Sequence, residues 1–234
     1  MGLTDPIVWL LALVSLISSI VSATFGLGGG FIILAVLGLT LPVNAMVPLH
    51  SALALGLLVS RSWYYRHDIS WDIVRSFLPG AVIGVLIGAR LYVELPEVLI
   101  AAMVSILMLV ALWFPSVNWR PSFAHPFFYV GIIHSLLSTL FSFGGVFQPL
   151  MIRTRLNKFQ IIGTIAFALL VMMIMKIAGY IAFGFDYRPY ITIIIVVILA
   201  SFPGAAIVKC IVSRFNESNS VWCSKYFCRH WLCG

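Results

Sequence analysis

Charge is what this sequence has least of. Asp, Glu, Lys and Arg make up 9% of its 234 residues, and only seven positions are acidic. An average soluble chain is about 25% charged, so there is too little polar surface here to coat a water-soluble globule. The deficit is matched by 62% hydrophobic residues and a mean hydropathy of +1.11. Together these describe a polytopic membrane protein whose constant partner is the lipid bilayer. Cysteine is missing until Cys210, with Cys223, Cys228 and Cys233 behind it, so no disulfide framework holds the body of the fold. No basic residue precedes the first apolar run, which argues against a cleaved secretory signal. Pro6 stands where N-myristoylation asks for Ser or Thr.

The formal charge of +7 does not point to nucleic acid, because the Lys and Arg residues sit between apolar segments and form no run or stripe. They read as topology determinants.

Glycine, by contrast, is concentrated. Phe25-Gly26-Leu27-Gly28-Gly29-Gly30-Phe31 places four glycines in five positions inside an apolar run, and a helix entering it should break. A dinucleotide-binding loop is excluded, since that needs a preceding strand and an acid about 20 residues on, whereas the next acid is Asp68. In lipid a broken helix exposes N–H and C=O groups that must face protein or a water-filled cavity, and transporters bind substrate at such breaks.

Reading for spans of about 20 apolar residues gives Ile7 to Phe25, the short Phe31 to Leu41, Ala45 to Ser60, Ser76 to Tyr92 and Val98 to Phe114. Aromatic and basic residues from Arg61 to His67 mark a membrane interface. Gly80, Gly84 and Gly88 recur every four residues, a close-packing face. After the polar loop Pro115 to Pro126 the pattern restarts with Phe127 to Phe143, Val146 to Ile152, Phe159 to Phe183 and Tyr190 to Val208.

The restart has content. Phe141-Ser142-Phe143-Gly144-Gly145-Val146-Phe147 echoes the first glycine stretch, and Phe202-Pro203-Gly204-Ala205-Ala206 echoes Leu78-Pro79-Gly80-Ala81-Val82. Two echoes in one order imply an internal repeat. Lys- and Arg-rich loops should be cytoplasmic, which places Arg61, Arg66 and Arg75 on the same side as Arg153, Arg155 and Lys158. These loops do not correspond by repeat position, so the halves are inverted if each glycine-broken pair enters and leaves by one face. Counting each pair as two crossings gives parallel repeats instead. The expected organisation is a first repeat over 1–115, a loop over 116–126, an incomplete second repeat over 127–212 and an atypical Cys-rich tail over 213–234. Overall this is an all-α helical transmembrane bundle with two inverted repeats and glycine-broken, re-entrant helices.

The two glycine breaks, the Pro48-Leu49-His50-Ser51 and Ile162-Gly163-Thr164 segments, and the Pro79-Gly80-Ala81-Val82-Ile83-Gly84 helix resemble the sulfite exporter TauE/SafE family of membrane permeases over roughly residues 7–208. The resemblance implies a carrier for a small anion such as sulfite or an organosulfonate in the bacterial inner membrane. Two departures are visible: Val146 and Phe147 stand where a third glycine and an aliphatic residue are usual, and the terminal helix of the second half is missing.

An anion in a low-dielectric interior needs fixed donors. Half-helices beginning after Gly30 and Gly145 would aim N–H groups at one point, so Gly28, Gly29, Gly30, Gly144 and Gly145 are expected backbone ligands; close helix packing without a ligand is the alternative. His50 and Ser51 could donate to an oxyanion, with Thr164 in the similar place of the second half, although Ser and Thr in helices often bond their own backbone. His50 could also couple protons or be a satisfied core residue. Gln148 is a buried amide just past the second break, with His134 and Ser142 as weaker candidates. Lys176 is the cation well inside an apolar run; it either attracts the anion or snorkels to the interface. Arg90, near Glu94, reads as interfacial. The C-x4-C-x4-C tail spacing differs from zinc pairs, so neither a metal nor a cofactor is expected. The function expected is an alternating-access permease; a non-transporting or degenerate membrane subunit is the alternative, and a membrane-embedded enzyme a more distant one because the spans hold no cluster of acids or nucleophile. A homodimer is a candidate assembly.

Overall fold

The computed structural model describes residues 5–25, 29–113, 125–142 and 144–201. Gly26 to Gly28, Phe143, most of the loop joining the halves, the Pro203-Gly204 echo and the whole Cys-rich tail lie outside the described residues. Within them the chain is helical, with no strand. The order is α1 (Pro6–Phe25), α2 (Gly29–Thr40), α3 (Val43–Tyr64), α4 (Trp71–Glu94), α5 (Glu97–Trp113), α6 (Pro126–Phe141), α7 (Phe147–Ile152), α8 (Lys158–Ala182) and α9 (Arg188–Ser201), whose first residues form a 3-10 turn.

Each boundary has a local cause. The first glycine run separates α1 from α2, and α2 begins within it at Gly29. Pro126 opens α6, where its missing N–H costs nothing. Ser142 ends α6 in the left-handed conformation at φ 55°, its N–H bonded to the Ser138 carbonyl at 3.0 Å. Asn157 and Gln160 form a reciprocal capping box at the start of α8.

Among the described residues α3, α4 and α8 are long and apolar enough to cross a membrane, and the other apolar helices are shorter. Burial differs from that of a soluble protein in that large apolar side chains cover the outside as well as the core, and polar ones are buried. Trp9, Leu13, Leu86, Val98, Ile106 and Leu199 are all more than half exposed, while His50, Ser51, His134, Ser135, Ser138, Thr139, Thr164 and Lys176 are buried. That distribution suits an apolar solvent. The chain is an all-α membrane bundle.

Two contacts organise it. α4 and α6 run side by side in the same direction, since Gly80, Gly84 and Gly88 meet progressively later residues of α6. A Cβ on Gly80 would overlap the Phe128 carbonyl, one on Gly84 the Ile132 carbonyl, and one on Gly131 the Phe77 carbonyl. The four-residue glycine spacing is a seam of backbone against backbone. α3 and α8 run in opposite directions: Tyr65, just past α3, stacks on Phe159 at 6.1 Å, and the Ser70 N–H bonds Thr164 Oγ1 at 2.9 Å. At the other end Tyr187, beyond α8, donates to the Pro48 carbonyl early in α3 at 3.3 Å. The loop carrying Arg66 therefore lies beside the start of α8 with Lys158, so the two basic loops share one end of the bundle.

Candidate functional site

Lys176 is the centre of the buried polar region. It lies in the last third of α8 and is 0% exposed. Its Nζ donates to the Ser138 carbonyl at 2.7 Å and meets Ser138 Oγ at 3.2 Å. Of the two readings of this residue, snorkelling does not apply: the ammonium points across to α6. Two of its three hydrogens are used there, which leaves one for a further acceptor. Arg90 does behave as an interfacial cation, exposed and 3.4 Å from Glu94.

Several buried polar atoms on α3, α6 and α7 are incompletely matched. His134 and Ser142 stand one helical turn before and after Ser138 on α6. Ser142 Oγ and His134 Nε2 are buried without a partner, as is Gln148 Oε1 on α7. Nδ1 of His134 accepts the N–H of Phe147, the first residue of α7, at 3.3 Å. From the first half, His50 Nε2 lies 3.1 Å from the Gly30 carbonyl at the start of α2, and His50 Nδ1 is a further buried orphan. His50 and His134 both lie within electrostatic reach of Lys176. A second link joins the same helices: Tyr180, one turn after Lys176, donates to the Thr139 carbonyl and lies against Ser51. Buried polar atoms are nearly always partnered, so the orphans on α3, at the end of α6 and on α7, together with a buried Lys176, are groups that a polar ligand could complete.

The expected ligands distribute unevenly. His50, Gly30, Gln148 and Lys176 belong to this region. Gly144 borders it, 3.9 Å from His134 Cε1 to a Cβ built on the glycine, and Gly145 follows in the same turn. Gly29 opens α2, and Gly28 lies outside the described residues. Ser51 spends its hydrogen on the Val47 carbonyl at 3.0 Å. Thr164 serves as the acceptor for Ser70 N–H, and it stands twelve residues from Lys176, about 18 Å along the helix. The amide of Phe147, a donor expected to face a ligand, is taken by His134. Ser138, Thr139 and Tyr180 were not singled out from the sequence. Their signal was spacing: Ser138 falls one turn from both His134 and Ser142, and Tyr180 one turn from Lys176.

No group of three or more His, Cys, Asp or Glu residues placed to hold a metal occurs among the described residues, and the tail cysteines lie outside them.

A family model described as Sulfite exporter TauE/SafE matches residues 11–218. The chain belongs to that family. The match runs from α1 through both glycine breaks and past α9, and so takes in all the buried polar groups around Lys176. Comparison with individual curated proteins and with solved structures returns no match. TauE/SafE membership makes this a protein of membrane transport, with small anions as the substrate class and lipid as its surroundings.

Proposed function

We propose that this TauE/SafE protein is an alternating-access permease that carries a small anion such as sulfite or an organosulfonate, with its site at Lys176 between the two glycine breaks. The observation that carries the reading is Lys176, wholly buried and bonded to Ser138, in a bundle that also buries unpartnered polar atoms of His50, His134, Ser142 and Gln148. A buried charge without a counter-charge is expensive, and a bound anion supplies one. In membrane proteins such residues mark substrate pathways.

The opposed directions of α3 and α8 support an inverted repeat, with a first unit over 1–115 and a second over 127–212. Inverted repeats give two alternative packings around one fixed site. The shared end of the basic loops is the cytoplasmic end by the positive-inside rule, in a bacterial inner membrane.

The test is flux of radiolabelled sulfite in proteoliposomes, with organosulfonates as competitors. Wild-type protein should move sulfite. Lys176→Met should lower the flux about ten- to a hundredfold, the loss expected when a charge-assisted hydrogen bond disappears. Gly29→Leu and Gly145→Leu should abolish flux by filling the breaks. Folded wild-type protein that moves no tested anion would defeat the reading.

A further inference from the structure

The bonds that pin the two histidines also fix which ring nitrogen carries the hydrogen. A carbonyl oxygen only accepts, so His50 Nε2, facing the Gly30 carbonyl, is the donor. In the neutral ring Nδ1 is then an acceptor, and it is buried with no partner. His134 is set the other way. Its Nδ1 accepts the Phe147 N–H, so the hydrogen sits on Nε2, which is likewise buried and unpartnered. One fixed acceptor on α3 and one fixed donor on α6, both unmet, therefore stand on two helices that meet α8, the helix of Lys176.

An oxyanion without a hydrogen of its own can satisfy Lys176 and His134 Nε2 but brings nothing to His50 Nδ1. We infer that the site selects a singly charged oxyanion that carries an acidic hydrogen, its oxygens toward Lys176 and His134 and its O–H toward His50 Nδ1. The charge count agrees, because one ammonium answers one negative charge and none of the side chains gathered around Lys176 is acidic. Ser142 Oγ can donate or accept and so accommodates either orientation of the remaining oxygen.

This inference rests on the permease reading and is tested separately from it. Methylphosphonate monoanion and methanesulfonate have the same charge and nearly the same shape, but only the first carries an O–H. Flux of each labelled probe, alongside sulfite, is measured at a mildly acidic pH where both are monoanions. Wild-type protein should favour methylphosphonate by about tenfold, the effect of one buried acceptor met or left unmet. His50→Gln can still donate to the Gly30 carbonyl yet puts no acceptor at the Nδ1 position, so the preference should fall to near unity. His134→Asn, which keeps an acceptor for Phe147 N–H and loses the Nε2 donor, should weaken both probes and keep the preference. Equal wild-type transport of the two probes overturns the inference, and so does a preference that survives in His50→Gln. The wild-type ratio decides even if a variant fails to fold. Absence of flux for all three anions would instead defeat the permease reading.

Discussion

The two glycine breaks use the same parts with opposite polarity. In each, a histidine on a long helix reaches a backbone group at the start of a short one: His50 meets the Gly30 carbonyl of α2, and His134 meets the Phe147 amide of α7. α2 is 12 residues long and α7 only six. The Gly30 carbonyl, inside a helix, is also the acceptor for the amide four residues on. The Phe147 amide, at a helix start, has no such partner within the helix. At the first break the histidine adds a bond to a group already served, and at the second it supplies the bond that was missing. The second half also holds the charge, through Lys176 on Ser138. The first break thus leaves an acceptor unmet and the second a donor, with the cation on α8 of the second half.

The two halves approach each other backbone to backbone along the α4–α6 seam. A Cβ on Gly84 would overlap the Ile132 carbonyl and Ser135 Oγ and approach Leu136 N at 3.0 Å. Backbone cannot move aside as a side-chain tip can. Gly84→Ala should therefore cost about 3 kcal/mol, a fall of roughly 10 °C in the melting temperature of the detergent-solubilised protein. Val82→Ala, on the exposed face of the same helix, should shift it far less. A Gly84→Ala protein melting within about 2 °C of wild type would show that the seam has slack.

The unequal need for the two histidines is read by replacing each with Leu, which keeps bulk and removes both ring nitrogens. His134→Leu leaves a buried amide hydrogen without any partner, at about 2 kcal/mol. His50→Leu leaves a carbonyl that keeps its helical bond, and under-satisfied carbonyls are better tolerated than orphaned amides; the cost should be under about 1 kcal/mol. Melting temperatures measured side by side give the order. If His50→Leu is the more damaging, the polarity argument for the two breaks is wrong.

The elements of the fold were open to sequence reading because apolar length and glycine clustering are local properties. Each expected span overlaps a helix whose described ends lie within a few residues of it, the last span being described only as far as Ser201, and the glycines at 80, 84 and 88 form the contact that their spacing announced. The buried polar region was legible only in part. Lys176 stood out as a cation in an apolar run, but its direction depends on Ser138, 38 residues earlier in the chain. Thr164 resembled a ligand by position, yet a loop amide from the other half, Ser70, uses it. His134 looked weak because nothing in its own helix shows that α7 begins opposite it. These facts are tertiary, and local pattern carries no trace of them.

The finest difference between the breaks lies in the space beside each histidine. A Cβ on Gly30 would sit 3.3 Å from His50 Nε2, close enough that the ring must yield by a few tenths of an ångström. One on Gly144 would sit 3.9 Å from His134 Cε1, an ordinary contact, and Gly144 does not occupy the left-handed region that disfavours a side chain. Gly30→Ala should therefore tilt His50, lengthen its bond to the Gly30 carbonyl and misplace Nδ1. Loss of part of one hydrogen bond corresponds to a drop of about threefold in flux of a hydrogen-bearing anion, with a smaller drop for methanesulfonate. Gly144→Ala should lower both fluxes by less than Gly30→Ala and by the same proportion, because the donor on His134 is displaced little and serves both anions alike. A reversed order would mean that the second break is the tighter of the two and that its histidine, not His50, reads the hydrogen of the substrate.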